Sequence, residues 1–361
     1  MVTNASPLSA PYLCYINLTN NCNLRCLHCL GNYGVKIKGE LNFEEWKKVF
    51  DDLIKNNVFY VNISGGEATT HPDFLKIINY LSKIGLHYIL TRNGVFSTKF
   101  LKEIIKNRDY LIGIKISLDG YDKKTHCYLR RDARGCVNYN IFYLTLKNIM
   151  TLKKNHIPIT IATVIHSENI KNFEKFVKLI KKIDPTSWYI SPVIPSGRGE
   201  TNEKIKSDYQ FYEKSFWKNI IKICNKNRIN VRLIDLPFNM RDTDAQDYYE
   251  CGATLNFCEI NADGKTSPCT LARVMIPKTA IDFENLKYKN LKGIWSGKPF
   301  NKFRGYMTKN CEGCAAFKKC TKCIAQSFKY FGKGECPTPY CISNPNIKLK
   351  NRDKYKKILG N

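Results

Sequence analysis

Residues 22–29 read CNLRCLHC, a Cys-x3-Cys-x2-Cys run formed by Cys22, Cys26 and Cys29. Three thiolates can hold three corners of a [4Fe-4S] cube and leave the fourth iron open. A cluster used only for electron transfer normally closes all four corners with cysteine. An open iron calls for a ligand that is not protein. The competing reading is a zinc site or unpaired structural thiols, but structural zinc prefers four ligands, usually as two Cys-x2-Cys pairs. His28, between the last two cysteines, reads as a packing or hydrogen-bonding neighbour rather than a ligand.

The triplet follows an apolar run, YLCYINL (12–18). Similar runs recur at 59–64, 87–91, 112–118, 159–165 and 188–194, with amphipathic helix candidates at 43–56, 72–84, 98–107, 139–155 and 168–183 between them. In the first of these helices Asn42 is the expected N-cap, and Phe43, Trp46, Val49, Phe50 and Leu53 share one face. Strands alternating with helices predict βα units and a parallel sheet. Six units make a partial (β/α)6, TIM-like barrel, whose ligands sit at the C-terminal ends of the strands.

Each remaining motif of the first half follows a predicted strand. Ser64-Gly65-Gly66-Glu67 ends the second run, Thr91-Arg92-Asn93-Gly94 the third, Ser117-Leu118-Asp119-Gly120 the fourth and Pro195-Ser196-Gly197-Arg198-Gly199 the sixth. Paired glycines let backbone approach a ligand closely, and a following carboxylate can accept from an ammonium group. Together with the triplet, these segments resemble the radical S-adenosylmethionine (radical SAM) superfamily. The resemblance implies that Cys22, Cys26 and Cys29 hold a SAM-binding [4Fe-4S] cluster and that Gly65, Gly66 and Glu67 take the SAM amino group. It places Asn93, Ser117 and Asp119 along the nucleoside and methionine pocket and Arg130 on the SAM carboxylate, with Arg131 and Arg134 as rivals in register. Arg92 interrupts the usual Thr-Asn-Gly order.

From Cys251 the chain becomes dense in cysteine, glycine and proline. Cys251, Cys258 and Cys269 flank NADGK, then come Cys311-x2-Cys314-x5-Cys320-x2-Cys323, and later Cys336 and Cys341. This region resembles the SPASM appendage of radical SAM enzymes, which carries two auxiliary [4Fe-4S] clusters. By that resemblance Cys251, Cys258, Cys269 and Cys323 hold the first cluster. Cys311, Cys314, Cys320 and Cys341 hold the second, with Cys336 competing for the last place. The Cys320–Cys323 spacing is one residue short of the usual pattern, and a pair of four-cysteine zinc sites is the alternative. The expected organisation is a barrel at 1–200, a connector at 201–250, the SPASM domain at 251–345 and a basic tail at 346–361. Of the other cysteines, Cys14 and Cys224 read as core residues, and Cys127 as structural rather than as a hydrogen-atom donor.

Composition narrows the setting. No run of ~18 apolar residues is present, so no membrane span is expected. The N-terminus has no basic-then-apolar export signal. Sixteen cysteines in such a chain suit metal or redox chemistry in a reducing, cytoplasmic setting better than disulfides. The formal net charge is +27, with 45 lysines against 13 arginines. Arginine is favoured for phosphate and base recognition, so this balance reads first as a solvated surface, second as a dock for an acidic partner, and only last as a nucleic-acid site.

The segments CLHCLGNYG, VFYVNISGGEAT, PSGRGE and CGATLNFCEI closely resemble the mycofactocin-maturase group of radical SAM-SPASM enzymes. Ala68 stands where that group has proline. The resemblance implies an oxidoreductase that cleaves SAM to a 5′-deoxyadenosyl radical and modifies a ribosomally made precursor peptide, by oxidative decarboxylation, crosslinking or both. Thioether formation, epimerisation, sulfatase maturation and tetrapyrrole modification are neighbouring chemistries, and a metal-binding nucleic-acid scaffold is the distant one. The expected partners are the precursor peptide and an electron donor of flavodoxin or ferredoxin type. A separate leader-peptide-binding protein is also expected, because only 21 residues precede Cys22.

Overall fold

The computed structural model describes residues 7–202, 205, 214–234, 251–308 and 323–335. Its strands are β1 (Leu13–Asn17), β2 (Tyr60–Ser64), β3 (His87–Arg92), β4 (Leu111–Ser117), β5 (Ile159–Ile165), β6 (Ser187–Pro192), β7 (Val231–Leu233), β8 (Phe257–Ile260) and β9 (Thr266–Ser267). The helices of the first half are α1 (Phe43–Lys55), α2 (Phe74–Lys83), α3 (Thr98–Lys106), α4 (Lys123–Leu129), α5 (Asn140–Lys154), α6 (Ser167–Ile170), α7 (Phe173–Ile183), α8 (Arg198–Thr201) and α9 (Lys214–Lys226). Beyond β9 come α10 (Thr270–Met275), α11 (Leu291–Trp295), α12 (Lys298–Thr308) and α13 (Ile324–Phe331).

The strands form one open sheet in the order β7-β6-β5-β4-β3-β2-β1-β8-β9. All neighbours pair in parallel except β8 and β9, which are antiparallel. The six expected strands are thus the centre of a partial barrel, and the sheet runs on past both ends. One extension crosses the expected boundary at 251: β8 lies beside β1, with Cys14 opposite Cys258 and Tyr15 opposite Glu259.

Local sequence explains most elements. The Asn42 side chain accepts from Glu45 N at 3.0 Å and Glu45 returns a bond to Asn42 N at 2.9 Å, a full capping box for α1. Behind the cap, Trp46, Val49, Phe50 and Leu53 are buried, while Phe43 is only partly covered and meets the Tyr80 ring edge-on. In β3 and β5 every second residue is buried, the period of a strand with one face under helices.

Two elements depart from expectation. The helix expected at 168–183 is split into α6 and α7 because Asn169 turns inward, donating to Asp119 O at 3.0 Å and Val164 O at 2.8 Å. Helix α4, not anticipated from the sequence, is a short turn started by an Asp122–Thr125 capping box.

Candidate functional site

The cysteine triplet lies in the loop after β1. Cys22, Cys26 and Cys29 are free thiols, each half-buried. Neighbouring backbone holds the loop down: Arg25 N donates to Arg131 O at 3.0 Å and Leu27 N to Leu129 O at 2.8 Å. From the other side Arg198 Nε donates to Cys26 O at 2.8 Å, Arg198 Nη1 to Tyr33 O at 2.8 Å, and Arg198 N to Cys29 O at 3.1 Å. A Cβ at Gly197 would stand 2.3 Å from Cys29 O, and Gly197 has φ +55°. The Pro195–Gly199 segment, a strand-end motif in the sequence, therefore clamps the cysteine loop.

Donors aim at the sulfurs. Leu24 N lies 3.4 Å from Cys22 Sγ, Tyr33 N 3.3 Å from Cys29 Sγ and Arg130 Nη1 4.0 Å from Cys26 Sγ. Burial pushes the Cys22 thiol up to about 12, and burial, against the pull of Arg130, pushes Cys26 up to about 11. Binding a metal there must displace protons.

Glu67 is buried. Its carboxylate accepts from Thr69 Oγ1 at 2.8 Å and Asn93 N at 3.0 Å, and Arg92 Nη1 stands 3.6 Å away. The glycines before it face the chain itself. A Cβ at Gly65 would meet Thr19 O at 2.6 Å and one at Gly66 would meet Asn21 O at 2.2 Å. Asn93 donates from Nδ2 to Asn23 Oδ1 at 2.7 Å, tying the third strand end to the cysteine loop. Asn23 was not singled out by sequence. Arg92 belongs to the opposite face of β3: it is buried between the rings of Phe74 (5.0 Å) and Phe100 (5.9 Å), with its guanidinium backing the Glu67 carboxylate.

Ser117 is half-buried at the end of β4. Asp119, just beyond it, is fully buried and accepts from Arg130 Nε at 2.7 Å and Val164 N at 2.8 Å, with His28 Nε2 at 3.6 Å. Burial pushes its carboxyl up, but Arg130, His28, His126 and the Val164 N–H outweigh that and bring it down to about 2. Burial, against the pull of Asp119, takes His28 down to about 4, so its ring is neutral. Of the three rival arginines the fold brings Arg130 to Cys26. Arg131 Nε instead donates to Tyr128 O at 3.1 Å, and Arg134 lies exposed beside Asp132.

A second thiol group lies beside this mouth. Cys269 accepts from Ala272 N at 3.4 Å, and its thiol is pushed up by burial and then by Cys251 and Cys323. Cys323 directly precedes α13, which packs on α10. The two thiol groups are linked by a polar hub that sequence reasoning missed. Fully buried Glu259 accepts from Asn17 Nδ2, from Ser267 Oγ and Thr270 Oγ1 at 2.8 Å each, and from Arg273 Nε at 3.1 Å. Arg273 Nη2 donates to Tyr33 Oη at 2.6 Å, and Tyr33 N reaches Cys29 Sγ. Cys258 is not in either group: its Sγ lies 3.7 Å from that of Cys14, and both residues are fully buried. Cys127 donates to Asn138 O at 3.2 Å in the core. The expected ligands Cys311, Cys314, Cys320 and Cys341, the rival Cys336, and the tail from 346 lie outside the described residues.

The residues present suit an iron–sulfur cube with a polar ligand above it. Among the described residues, no three Cys, His, Asp or Glu side chains converge on one point as a single zinc ion needs. Thiolates that each take a different iron are more widely spaced. Buried atoms Asn20 Oδ1, His28 Nδ1 and His166 Nε2, on loops at this end of the sheet, have no protein partner. Buried polar atoms without partners are costly, and a polar ligand would satisfy them.

Comparison with known proteins identifies two domains. The model of the radical SAM superfamily matches residues 16–180, and that of the SPASM iron-sulfur cluster-binding domain matches 251–324. The chain carries a radical SAM domain followed by a SPASM domain. Its two domains imply [4Fe-4S] clusters and S-adenosylmethionine as cofactors. This radical SAM-SPASM protein is 26% identical to the AdoMet-dependent heme synthase of Methanosarcina barkeri, over 94% of this chain and 99% of that protein. It is 33% identical to mycofactocin maturase MftC of Mycobacterium tuberculosis, over 53% of this chain and 47% of that protein. The crystal structure of Streptococcus suis SuiB bound to the precursor peptide SuiA superposes with a TM-score of 0.74 at 18% identity, covering 95% of this chain and 77% of SuiB. That likeness is one of fold. No helix among the described residues is long and apolar enough to cross a membrane.

Proposed function

We propose that this protein is a radical SAM peptide maturase, which modifies a ribosomally made precursor peptide by oxidative decarboxylation, crosslinking or both. The observation that carries this reading is the 33% identity to a mycofactocin maturase in a chain that sets a three-thiol loop beside a SPASM thiol group. In this reading Cys22, Cys26 and Cys29 hold the SAM-binding cluster. When bound, that cluster and SAM supply a carbon-centred radical able to remove a hydrogen atom from a peptide carbon.

The protein's own part is placement. Arg130 is pre-aligned by Asp119 and presents its remaining N–H groups to the SAM carboxylate. Gly65, Gly66 and Glu67 receive the ammonium end, and Asn93, Ser117 and Asp119 line the rest. Arg198 and Asn23 hold the cysteine loop still, so a fixed geometry replaces reorganisation during reaction. The cysteines of the SPASM half hold the auxiliary clusters, with Cys311, Cys314, Cys320 and Cys341 on the second. A low-potential donor of flavodoxin or ferredoxin type and a separate leader-peptide-binding protein complete the system.

A second reading, tetrapyrrole modification, is favoured by the heme synthase likeness, which extends over nearly the whole of both chains. One assay separates the two. The anaerobically reconstituted protein is given reductant and SAM with either a precursor peptide ending in Val-Tyr or a tetrapyrrole, and products are followed by mass. Peptide maturation predicts loss of CO2 or of two hydrogens from the peptide, with 5′-deoxyadenosine formed. Modification of the tetrapyrrole with the peptide untouched would overturn it.

A further inference from the structure

We propose that Lys115, Tyr189 and Arg232 form a binding site for a carboxylate of the substrate, on the inner face of the sheet beside the strand ends that take SAM. The inference rests on the radical SAM reading of those strand ends and deepens it by naming the group that orients the substrate.

Strand register places the three residues. Successive side chains on a strand point to opposite faces. Ile116 and Trp188 take the helix face: both are fully buried, and Trp188 meets the rings of Phe173 at 5.4 Å and Phe176 at 5.1 Å in α7. Lys115, Ser117 and Tyr189 therefore take the inner face. Ser117 is paired with Ala162, Ala162 with Tyr189 and Tyr189 with Arg232, a single row from β4 to β7. Tyr189 thus lies two strand spacings, about 10 Å, from Ser117.

Barrel interiors are normally filled by bulky branched side chains, but this one is polar. Lys115 is flanked in register by Thr91 and Thr160, and Thr160 Oγ1 lies 3.1 Å from Ser187 Oγ. Lys115 reaches across β5, whose side chains there are the small Thr160 and Ala162, and brings Nζ to 4.7 Å from the centre of the Tyr189 ring. From β7, Arg232 Cζ stands 5.9 Å from the same centre, with Nη1 3.5 Å from Tyr189 Oη. Two cations from different strands thus meet at one ring. Like charges brought together repel, and an anion held between them turns that cost into binding energy. The guanidinium fork suits the paired oxygens of a carboxylate, and the Tyr189 hydroxyl adds a donor. The inner-face carboxylate of β8, Glu259, is already committed to Arg273. Lys115 and Tyr189 are half-buried and Arg232 is exposed. A peptide would enter through its C-terminal carboxylate, a tetrapyrrole through a carboxylate side chain.

The test uses the full chain, reconstituted anaerobically with SAM present, and equilibrium dialysis. The probes are a peptide ending in Val-Tyr, the same peptide as its C-terminal amide, and a tetrapyrrole as free acid and as methyl ester. The free acid of the true substrate should bind about tenfold to a hundredfold more tightly than its blocked form. Lys115→Gln and Arg232→Gln should each remove most of that difference by weakening the free acid alone, with iron content and SAM affinity as in the unaltered protein. Tyr189→Phe, which keeps the ring and loses the hydroxyl, should weaken the free acid by a smaller factor. A preference for the tetrapyrrole acid over its ester that is lost in the variants, with no such preference among the peptides, would keep the carboxylate site and overturn the peptide reading. Equal binding of acid and blocked forms, equal weakening of both in the variants, or binding of neither acid would overturn the site.

Discussion

Cys22, Cys26 and Cys29 come from one loop after β1, whereas Cys251, Cys269 and Cys323 are gathered from a turn, the start of α10 and the start of α13. The first group is shaped by near neighbours, with N–H groups of Leu24 and Tyr33 aimed at its sulfurs. The second exists only once β8 has paired with β1 and α13 has packed on α10. Glu259 and Arg273 join the two groups, so the second is assembled against the first. The contrast teaches that a local ligand set can be read from spacing, while a dispersed one depends on which face of a strand each residue takes.

The largest test of that contrast is Cys26→Ala. It should abolish 5′-deoxyadenosine formation and remove about four irons while leaving the auxiliary irons in place, as read by iron and sulfide analysis. Loss of all iron would mean that the two groups do not assemble independently.

Glu259→Gln should act on both groups at once. It leaves Arg273 without its buried counter-charge, and breaking such a pair costs about 3–5 kcal/mol. Urea unfolding of the metal-free chain measures this. A change near zero would remove the hub from the argument.

Asp119→Asn should act on the triplet side alone and cost about 3 kcal/mol at neutral pH. The folded pKa of Asp119 is depressed to about 2, against about 3.9 when unfolded. Its contribution is therefore full above about pH 4 and fades as pH falls towards 2. The stability gap between the two proteins should close over that window. A gap independent of pH would contradict the ion pair with Arg130.

Smaller still is Gly197→Ala. A Cβ there meets Cys29 O at 2.3 Å on a backbone of positive φ, so the cost should be about 1–3 kcal/mol. It should slow cluster assembly at the triplet without changing the auxiliary iron. Equal loss from both cluster types would argue against a local clamp.

Much of the barrel was legible because apolar runs with period two and helices with period 3.6 are local signals. The runs 12–18, 59–64, 87–91, 112–118, 159–165 and 188–194 each coincide with a strand to within one or two residues at either end. Helix α4 escaped because Lys123–Leu129 is too short to show a period, and its start depends on a capping box at Asp122. In Thr91-Arg92-Asn93 the sequence shows three adjacent residues. The pleat sends Arg92 to the helix layer between Phe74 and Phe100 and leaves Asn93 at the cysteine loop. Glu259 carried no signal of its own, since its partners Asn17, Ser267, Thr270 and Arg273 come from two parts of the chain.

By itself the sequence determined the parallel βα order, the triplet and the strand-end positions of Gly65–Glu67, Asn93, Asp119 and Arg198, because spacing along a chain fixes what lies within one loop or one turn. Only the tertiary structure decided that Arg130 rather than Arg131 or Arg134 reaches Cys26, that Arg198 clamps the cysteine loop, and that Cys258 pairs with Cys14. Those choices turn on strand register and side-chain direction, which are set when distant segments pack against each other.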